Sequence, residues 1–80
     1  MQCEDIEALI NGGLSCAQVK VLSDDNTHFE ALVISEEFAG QSRIRRHQMI
    51  YGTLGALMGR EIHAMSIQAL TPEEWAAQGS

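Results

Sequence analysis

The sequence predicts an α+β fold of two layers, with the element order αββαβα and a three-stranded mixed sheet whose helices pack on one face. Two apolar, β-branched segments flank a polar loop at residues 23–27, as in an antiparallel hairpin. An amphipathic helical stretch and a further strand follow, which makes a β-α-β crossover and predicts parallel pairing. Eighty residues with 45% hydrophobic content indicate a single domain over residues 1–80.

The N-terminal half is predicted to hold one helix and the hairpin. The helix is expected over residues 3–11, because four apolar side chains share one of its faces: Cys3, Ile6, Leu9 and Ile10. Gly12 and Gly13 follow and offer the left-handed conformation that commonly ends a helix. The strands of the hairpin are expected at residues 16–22 and 28–35.

A longer amphipathic helix is predicted from Ser42 to about Gly59. Its apolar stripe follows the spacing i, i+3, i+4, i+7 and comprises Ile44, His47, Ile50, Tyr51, Leu54, Leu57 and Met58. This spacing places Arg45 and Arg46 on the outer face of the helix, with Arg43 beside them. The third strand is expected at residues 61–70.

A short C-terminal helix has the clearest start signal in the sequence. Thr71 is the expected N-cap, Pro72 takes the first helical position, and Glu74 completes a capping box. Leu70 and Trp75 occupy the two positions of a hydrophobic staple. We therefore expect the tryptophan to hold this helix against the core.

The net charge of −6 opposes general binding to nucleic acid or to anionic membranes. Three of the five basic residues nevertheless lie within residues 43–46. They form either a solvated basic face or a patch that binds phosphate or acidic groups. No apolar run approaches the roughly 20 residues of a membrane span, and the first residues lack a signal-peptide pattern, so a cytoplasmic location without membrane contact is expected.

Enzymatic activity is not predicted. The sequence contains no nucleophile elbow and no glycine-rich phosphate loop, and its adjacent acidic pairs are typical of helix starts and solvated turns. Cys3 and Cys16 are expected to be free thiols. Two thiols are too few for an iron–sulfur cluster held by four cysteines, so any cluster would be shared with another molecule.

Two histidines lie at ends of predicted strands. His63 is near the start of the third strand, in alternation with Met65 and Ile67, and His28 is where the polar loop enters the second strand. Local sequence favours a packed histidine at 63 and a solvent-exposed histidine at 28. The alternative is a pair of imidazole ligands for iron or zinc, although two ligands do not complete a tetrahedral site.

Three segments, "THFEALVIS", "FAGQSRIRRHQMIYGTL" and "IHAMSIQALTPEEW", resemble the BolA family and, within it, the acid-stress-associated IbaG (YrbA) type. The resemblance is strong from about His28 to Trp75 and looser before it. Its most specific parts are the patterns F-x-G, R-H-x-x-x-Y, I-H-A and T-P-x-E-W. It implies a BolA-like αββαβ core related to class II KH domains, in agreement with the element order above.

The resemblance implies a partner of monothiol glutaredoxins. In the family, the glutaredoxin supplies a cysteine and a bound glutathione to a two-iron, two-sulfur cluster, and the I-H-A histidine completes the coordination. That histidine is His63 here, so the ligand interpretation is preferred. The second family ligand comes from the loop between the first two strands, where this chain has no cysteine and offers His28. The implied role is cluster trafficking or iron and stress regulation.

The resemblance also implies an alternative role as a DNA-binding transcriptional regulator. It would act through the helix-turn-helix-like segment 38–51, with contacts from Arg43, Arg45 and Arg46. The sequence after Phe38 lacks the G-x-x-G that KH domains use, and the chain is acidic, so DNA binding is expected to be weak. A homodimer of the free chain is left open.

Overall fold

The structure, a computed structural model, describes residues 2–62 and 64–78. Its helices are α1 (Cys3–Gly13), α2 (Arg43–Leu54) and α3 (Pro72–Ala77), and its strands are β1 (Gln18–Leu22), β2 (His28–Ile34) and β3 (Ala64–Leu70). Short 3-10 turns lie at Glu36–Phe38 and Gly55–Leu57. The strands form one mixed sheet in the order β1-β2-β3. The predicted α+β fold with a three-stranded mixed sheet is confirmed. No helix within the described ranges is long and apolar enough to cross a membrane.

The central strand β2 pairs in opposite senses with its two neighbours. It runs antiparallel to β1, from Gln18↔Ile34 to Leu22↔Glu30, and parallel to β3, from His28↔Ala64 to Ile34↔Leu70. The antiparallel pair is joined by a short loop, whereas the parallel pair needs the crossover that contains α2. Alternate residues of β2 are buried against the helices, namely Phe29, Ala31 and Val33.

Helix α1 buries a narrower face than the sequence predicts. Ile6 and Ile10 are fully buried, but Leu9 is 37% exposed. The helix also runs through Gly12 and Gly13, and neither glycine has a positive φ. The predicted left-handed stop is therefore wrong, and the chain leaves the helix at Leu14 in an extended conformation.

Gly13 has a packing role instead. A Cβ atom at this position would lie 2.5 Å from Thr53 Cγ2 and 3.0 Å from Thr53 Cβ, so α1 approaches α2 more closely than any side chain would allow. The Thr53 rotamer is held by its hydroxyl, which donates a hydrogen bond to the Ile50 carbonyl at 2.6 Å. At Gly12, by contrast, an added Cβ would meet no atom within 4 Å.

Helix α2 buries only part of the predicted apolar stripe. Ile50 and Leu54 are buried as expected, but Ile44 is 72% exposed and Tyr51 is 38% exposed. The helix ends at Leu54, because Gly55 adopts φ 58° and a 3-10 turn follows, so the predicted end at Gly59 is too late. Ser42 caps the start by accepting a hydrogen bond from the Arg45 amide.

Arg46 is not on the outer face of α2, which corrects the prediction. Its side chain is only 13% exposed and pairs with Glu74 of α3, with Nη1–Oε1 at 2.7 Å and Nη2–Oε2 at 3.2 Å. It also donates to the carbonyl groups of Gln41 and Ala69 at 3.0 Å, and its guanidinium lies 5.9 Å from the centre of the Phe38 ring. One arginine therefore links α2, β3 and α3.

The predicted start of α3 is confirmed. Thr71 Oγ1 accepts a hydrogen bond from the Glu74 amide at 3.2 Å, and Glu74 Oε1 accepts one from the Thr71 amide at 2.8 Å. Pro72 takes the first helical position. Trp75 is only partly buried, and none of the residues of α3 is buried. Among the described residues, Trp75 is not one of the partly buried side chains that pack against the core, so the predicted clamp by the tryptophan is not seen. The ion pair with Arg46 anchors this helix.

The two neighbouring glycines provide a matched test of the α1–α2 contact. We expect Gly13→Ala to lower the free energy of unfolding by about 1–3 kcal/mol, because the added methyl group overpacks against Thr53. Gly12→Ala should raise it by about 0.4–1 kcal/mol, because alanine is the better helix former and meets open space. Urea denaturation of both variants measures the difference, and equal effects would contradict the packing role of Gly13.

The Arg46–Glu74 pair should make stability depend on pH. The hydrogen bonds from Arg46 and from the Thr71 amide lower the pKa of Glu74 from 4.5 to about 2. A carboxyl whose pKa is depressed by folding stabilises the protein fully above its unfolded pKa and loses that effect as pH falls toward the folded value. Glu74→Gln should therefore be less stable at neutral pH and should lose less stability between about pH 5 and pH 2.

Denaturation at several pH values measures this slope. Glu73→Gln is the control, since it removes a carboxylate from the same turn of α3 and leaves the ion pair intact. If the slope of Glu74→Gln equals that of the wild type, the ion pair does not cause the acid sensitivity.

Candidate functional site

The loop between β1 and β2 is held by hydrogen bonds from its own side chains. Asp25 Oδ1 accepts from the backbone amides of Thr27 at 3.0 Å and His28 at 2.9 Å. Ser23 Oγ donates to the His28 carbonyl at 2.6 Å and accepts from the Asn26 amide at 2.9 Å. Asn26 has φ 59°, a left-handed conformation that asparagine tolerates well. The loop therefore holds a defined geometry where it enters β2.

The imidazole of His28 is oriented by the same aspartate. Its Nδ1 lies 2.9 Å from Asp25 Oδ2, and Thr27 Oγ1 is 3.2 Å from that nitrogen. The pKa of Asp25 lies well below its usual range, because the carboxylate accepts hydrogen bonds from the backbone and side chain of His28 and from the Thr27 amide. An ionised carboxylate only accepts, so Nδ1 carries the proton and Nε2 is the nitrogen that would bind a metal.

His28 lies beside β3 at an open end of the sheet. Its register partner is Ala64, and a cavity of about 600 Å³ is formed there by residues of the loop, β2 and β3, among them Ser23, Asp24, His28, Glu30, Ala64 and Ser66. His63, the other predicted ligand, lies outside the described residues. Ala64, which follows His63 in the sequence, is the register partner of His28.

The described side chains do not form a complete metal site. Within residues 2–62 and 64–78, no three His, Cys, Asp or Glu side chains gather in a way that could hold a metal ion. What this end of the sheet offers is one imidazole with a carboxylate behind it.

The two cysteines lie apart from this arrangement. Both are free and partly buried. Burial raises the pKa of Cys3, with a further contribution from Glu4 and Glu7, and burial together with Glu37 raises the pKa of Cys16. A raised pKa keeps a thiol protonated and reduces its reactivity as a nucleophile or ligand.

The predicted basic patch is reduced by the structure. Arg43 and Arg45 are exposed at the start of α2, whereas Arg46 is engaged by Glu74 and two carbonyl groups. Only two of the three arginines are therefore presented for binding. Sequence reasoning also missed Asp25, which it treated as a solvated turn residue. The signal was present in the spacing, because an aspartate three residues before a histidine can accept both its amide and its ring proton.

Comparison with known proteins connects this arrangement to a family. The profile for BolA-like protein matches residues 13–74. The acid stress protein IbaG of Escherichia coli is 39% identical over 77 residues, which cover 95% of this chain and 90% of that protein. A Haemophilus influenzae protein named DNA-binding transcriptional regulator BolA is 38% identical over 52 residues, covering 65% of this chain and 50% of the relative.

A solved structure supports the same assignment. The BolA domain of SufE1 from Arabidopsis thaliana matches with a TM-score of 0.81 and 30% identity, covering 90% of this chain and 93% of that domain. The profile match includes α2, the whole sheet and the capping box of α3. Sequence and fold agree over nearly the full length, and the chain belongs to the BolA family.

Proposed function

We propose that this BolA-family protein is a non-enzymatic binding module that shares a two-iron, two-sulfur cluster with a monothiol glutaredoxin. The glutaredoxin would supply a cysteine and its bound glutathione, and this chain would supply His63 and His28. The complex would serve cluster trafficking or regulation by iron and stress. The two relatives described above are named as an acid stress protein and a transcriptional regulator, not as enzymes.

The observation that carries the proposal is the hydrogen bond between Asp25 Oδ2 and His28 Nδ1 at 2.9 Å. Metal-ligating histidines commonly donate their second ring N–H to a carboxylate, which sets the tautomer and increases the basicity of the ligating nitrogen. Here the carboxylate is itself held by two backbone amides. The imidazole is thus oriented by a hydrogen-bonded loop at the edge of an open cavity.

The two proposed histidine ligands do not complete a cluster site by themselves. A chain that offers two imidazoles needs two further ligands, and the protonated thiols of Cys3 and Cys16 do not supply them well. A partner that brings its own thiolates completes the coordination. The cavity beside His28 leaves space for a cluster that is carried by another molecule.

The experiment is reconstitution of the cluster with the monothiol glutaredoxin of the same cell, followed by visible absorption and circular dichroism. His63→Ala and His28→Ala should shift the spectra and shorten the lifetime of the cluster, because each removes a ligand. Asp25→Asn should weaken cluster binding about 10- to 100-fold, because its single oxygen cannot accept both the backbone amides of Thr27 and His28 and the Nδ1 proton. Acid should weaken wild-type binding, since protons compete for the imidazoles.

Two variants serve as controls. Glu73→Gln removes one negative charge from α3, outside the cavity beside His28, and leaves the Asp25–His28 hydrogen bond in place, so its spectrum should be that of the wild type. His47→Ala removes an imidazole that packs edge-on against Tyr51 on α2, and it should leave the cluster unchanged. A wild-type spectrum and lifetime for both His63→Ala and His28→Ala would refute the proposal.

The second candidate function is DNA binding, favoured by the exposed arginines at the start of α2 and by the name of the Haemophilus influenzae relative. Replacing Arg43 and Arg45 together by alanine should reduce the slope of log affinity against log salt by about two, since two phosphate contacts are lost. Each change should alter unfolding free energy by less than about 0.5 kcal/mol. Wild-type protein that gives no sequence-specific band shift at physiological salt would exclude this function.

A further inference from the structure

The outer edge of β1 is occupied by a side chain of α1. Among the described strands, β1 pairs with β2 alone, so alternate residues of β1 direct their main-chain N–H and C=O groups away from the sheet. Val21 is one of these residues, because its amide donates to Glu7 Oε2 at 2.8 Å and not to β2. The same alternation directs the main-chain groups of Val19 outward. Glu7 therefore binds a main-chain donor that an added strand would use.

The outer edge of β3 has a corresponding contact near its C-terminal end. The Leu70 carbonyl accepts a hydrogen bond from the Ser35 amide, so Leu70 faces the β2 side and the preceding residue, Ala69, faces outward. The Ala69 carbonyl accepts from Arg46 Nη1 at 3.0 Å. At each edge of the described sheet, a charged side chain from a helix thus binds an outward main-chain group.

Lys20 adds a second obstacle on β1. It is the only lysine in the sequence, it lies at the centre of β1, and it is exposed, whereas Val21 beside it is buried. When two copies of β1 pair antiparallel over all five residues, Lys20 lies directly opposite Lys20 of the second copy. Like charges in directly opposite positions destabilise a strand pair.

We propose that Glu7 and Lys20 together prevent β1 from pairing with β1 of a second copy. The residues of β1 other than Gln18 and Lys20 are valines and a leucine, and an edge strand of this composition is prone to add another strand. In the full-length pairing, Val19 lies opposite Val21 of the second copy, and the two residues exchange both of their main-chain hydrogen bonds. Glu7 withholds the Val21 amide from this exchange, and Lys20 repels its own copy.

Sedimentation equilibrium of the full chain, from about 10 μM to 1 mM, tests the proposal. Glu7→Ala alone leaves the opposed lysines, and Lys20→Thr alone leaves the Val21 amide bound to Glu7. The double variant Glu7→Ala/Lys20→Thr removes both obstacles. It should associate at least about tenfold more tightly than the wild type or either single variant. Circular dichroism of the dilute protein checks that each variant is folded.

Amide hydrogen exchange, measured residue by residue by NMR, locates the contact. In the dilute Glu7→Ala chain the Val21 amide loses its acceptor and should exchange at least about tenfold faster than in the wild type. In the concentrated double variant, protection should return at Val19 and Val21 and not along β3. A purely structural role for Glu7 would speed exchange throughout α1 and the sheet, and protection at the two valines would not rise with concentration.

Two further double variants are matched controls. Glu7→Gln/Lys20→Thr keeps a side-chain oxygen that can accept from the Val21 amide, so it should associate no more tightly than Lys20→Thr. Glu4→Ala/Lys20→Thr has the same net charge as Glu7→Ala/Lys20→Thr, but Glu4 is exposed in the first turn of α1, and this variant should also match Lys20→Thr. Two results would overturn the proposal: association of Glu7→Ala/Lys20→Thr no tighter than that of these controls, or equal exchange of the Val21 amide with and without Glu7. The second measurement uses Glu7→Ala alone and does not depend on the folding of the double variant.

Discussion

The double pairing of β2 is the constraint on which the rest of the structure depends. Because β2 is antiparallel to β1 and parallel to β3, the chain has to cross the sheet between β2 and β3, and α2 lies in that crossover. The same register decides what meets at each end of the sheet. At one end His28 is beside Ala64, and at the other end Ile34 is beside Leu70.

The two ends of the sheet differ in the contacts that surround them. Beyond Ile34, the Ser35 amide donates to the Leu70 carbonyl, and the buried Ser35 hydroxyl donates to the Ser15 carbonyl. Arg46 adds its bonds to Ala69 and Glu74 at this end. The His28 end has instead a polar loop folded around Asp25 and an open cavity. Hydrogen bonds between distant parts of the chain thus close one end, whereas His28 lies beside an open cavity at the other.

The sequence predicted the candidate site in part. The family resemblance pointed to His63 and His28. The strand register places Ala64, which follows His63 in the sequence, beside His28. It did not predict the role of Asp25, because a pair of adjacent aspartates in a turn has the same appearance whether it is solvated or holds an imidazole. The role of Arg46 could not be predicted from the sequence either. Its partner Glu74 is 28 residues away and was already accounted for as a helix cap.

The sequence by itself determined the order and type of the helices and strands, the hairpin, the cap at Thr71, and the family. These features depend on local periodicity and on hydrogen bonds between residues no more than four positions apart, which the sequence specifies directly. The tertiary structure alone decided the orientation of α2 and the use of Gly13. Helical periodicity defines an apolar stripe relative to the helix axis but does not fix how the helix is rotated against the sheet. That rotation depends on contacts with β-strands and with α1, which are distant in sequence. In the structure Ile50 and Leu54 are buried, Thr53 lies against Gly13, and Ile44 is exposed.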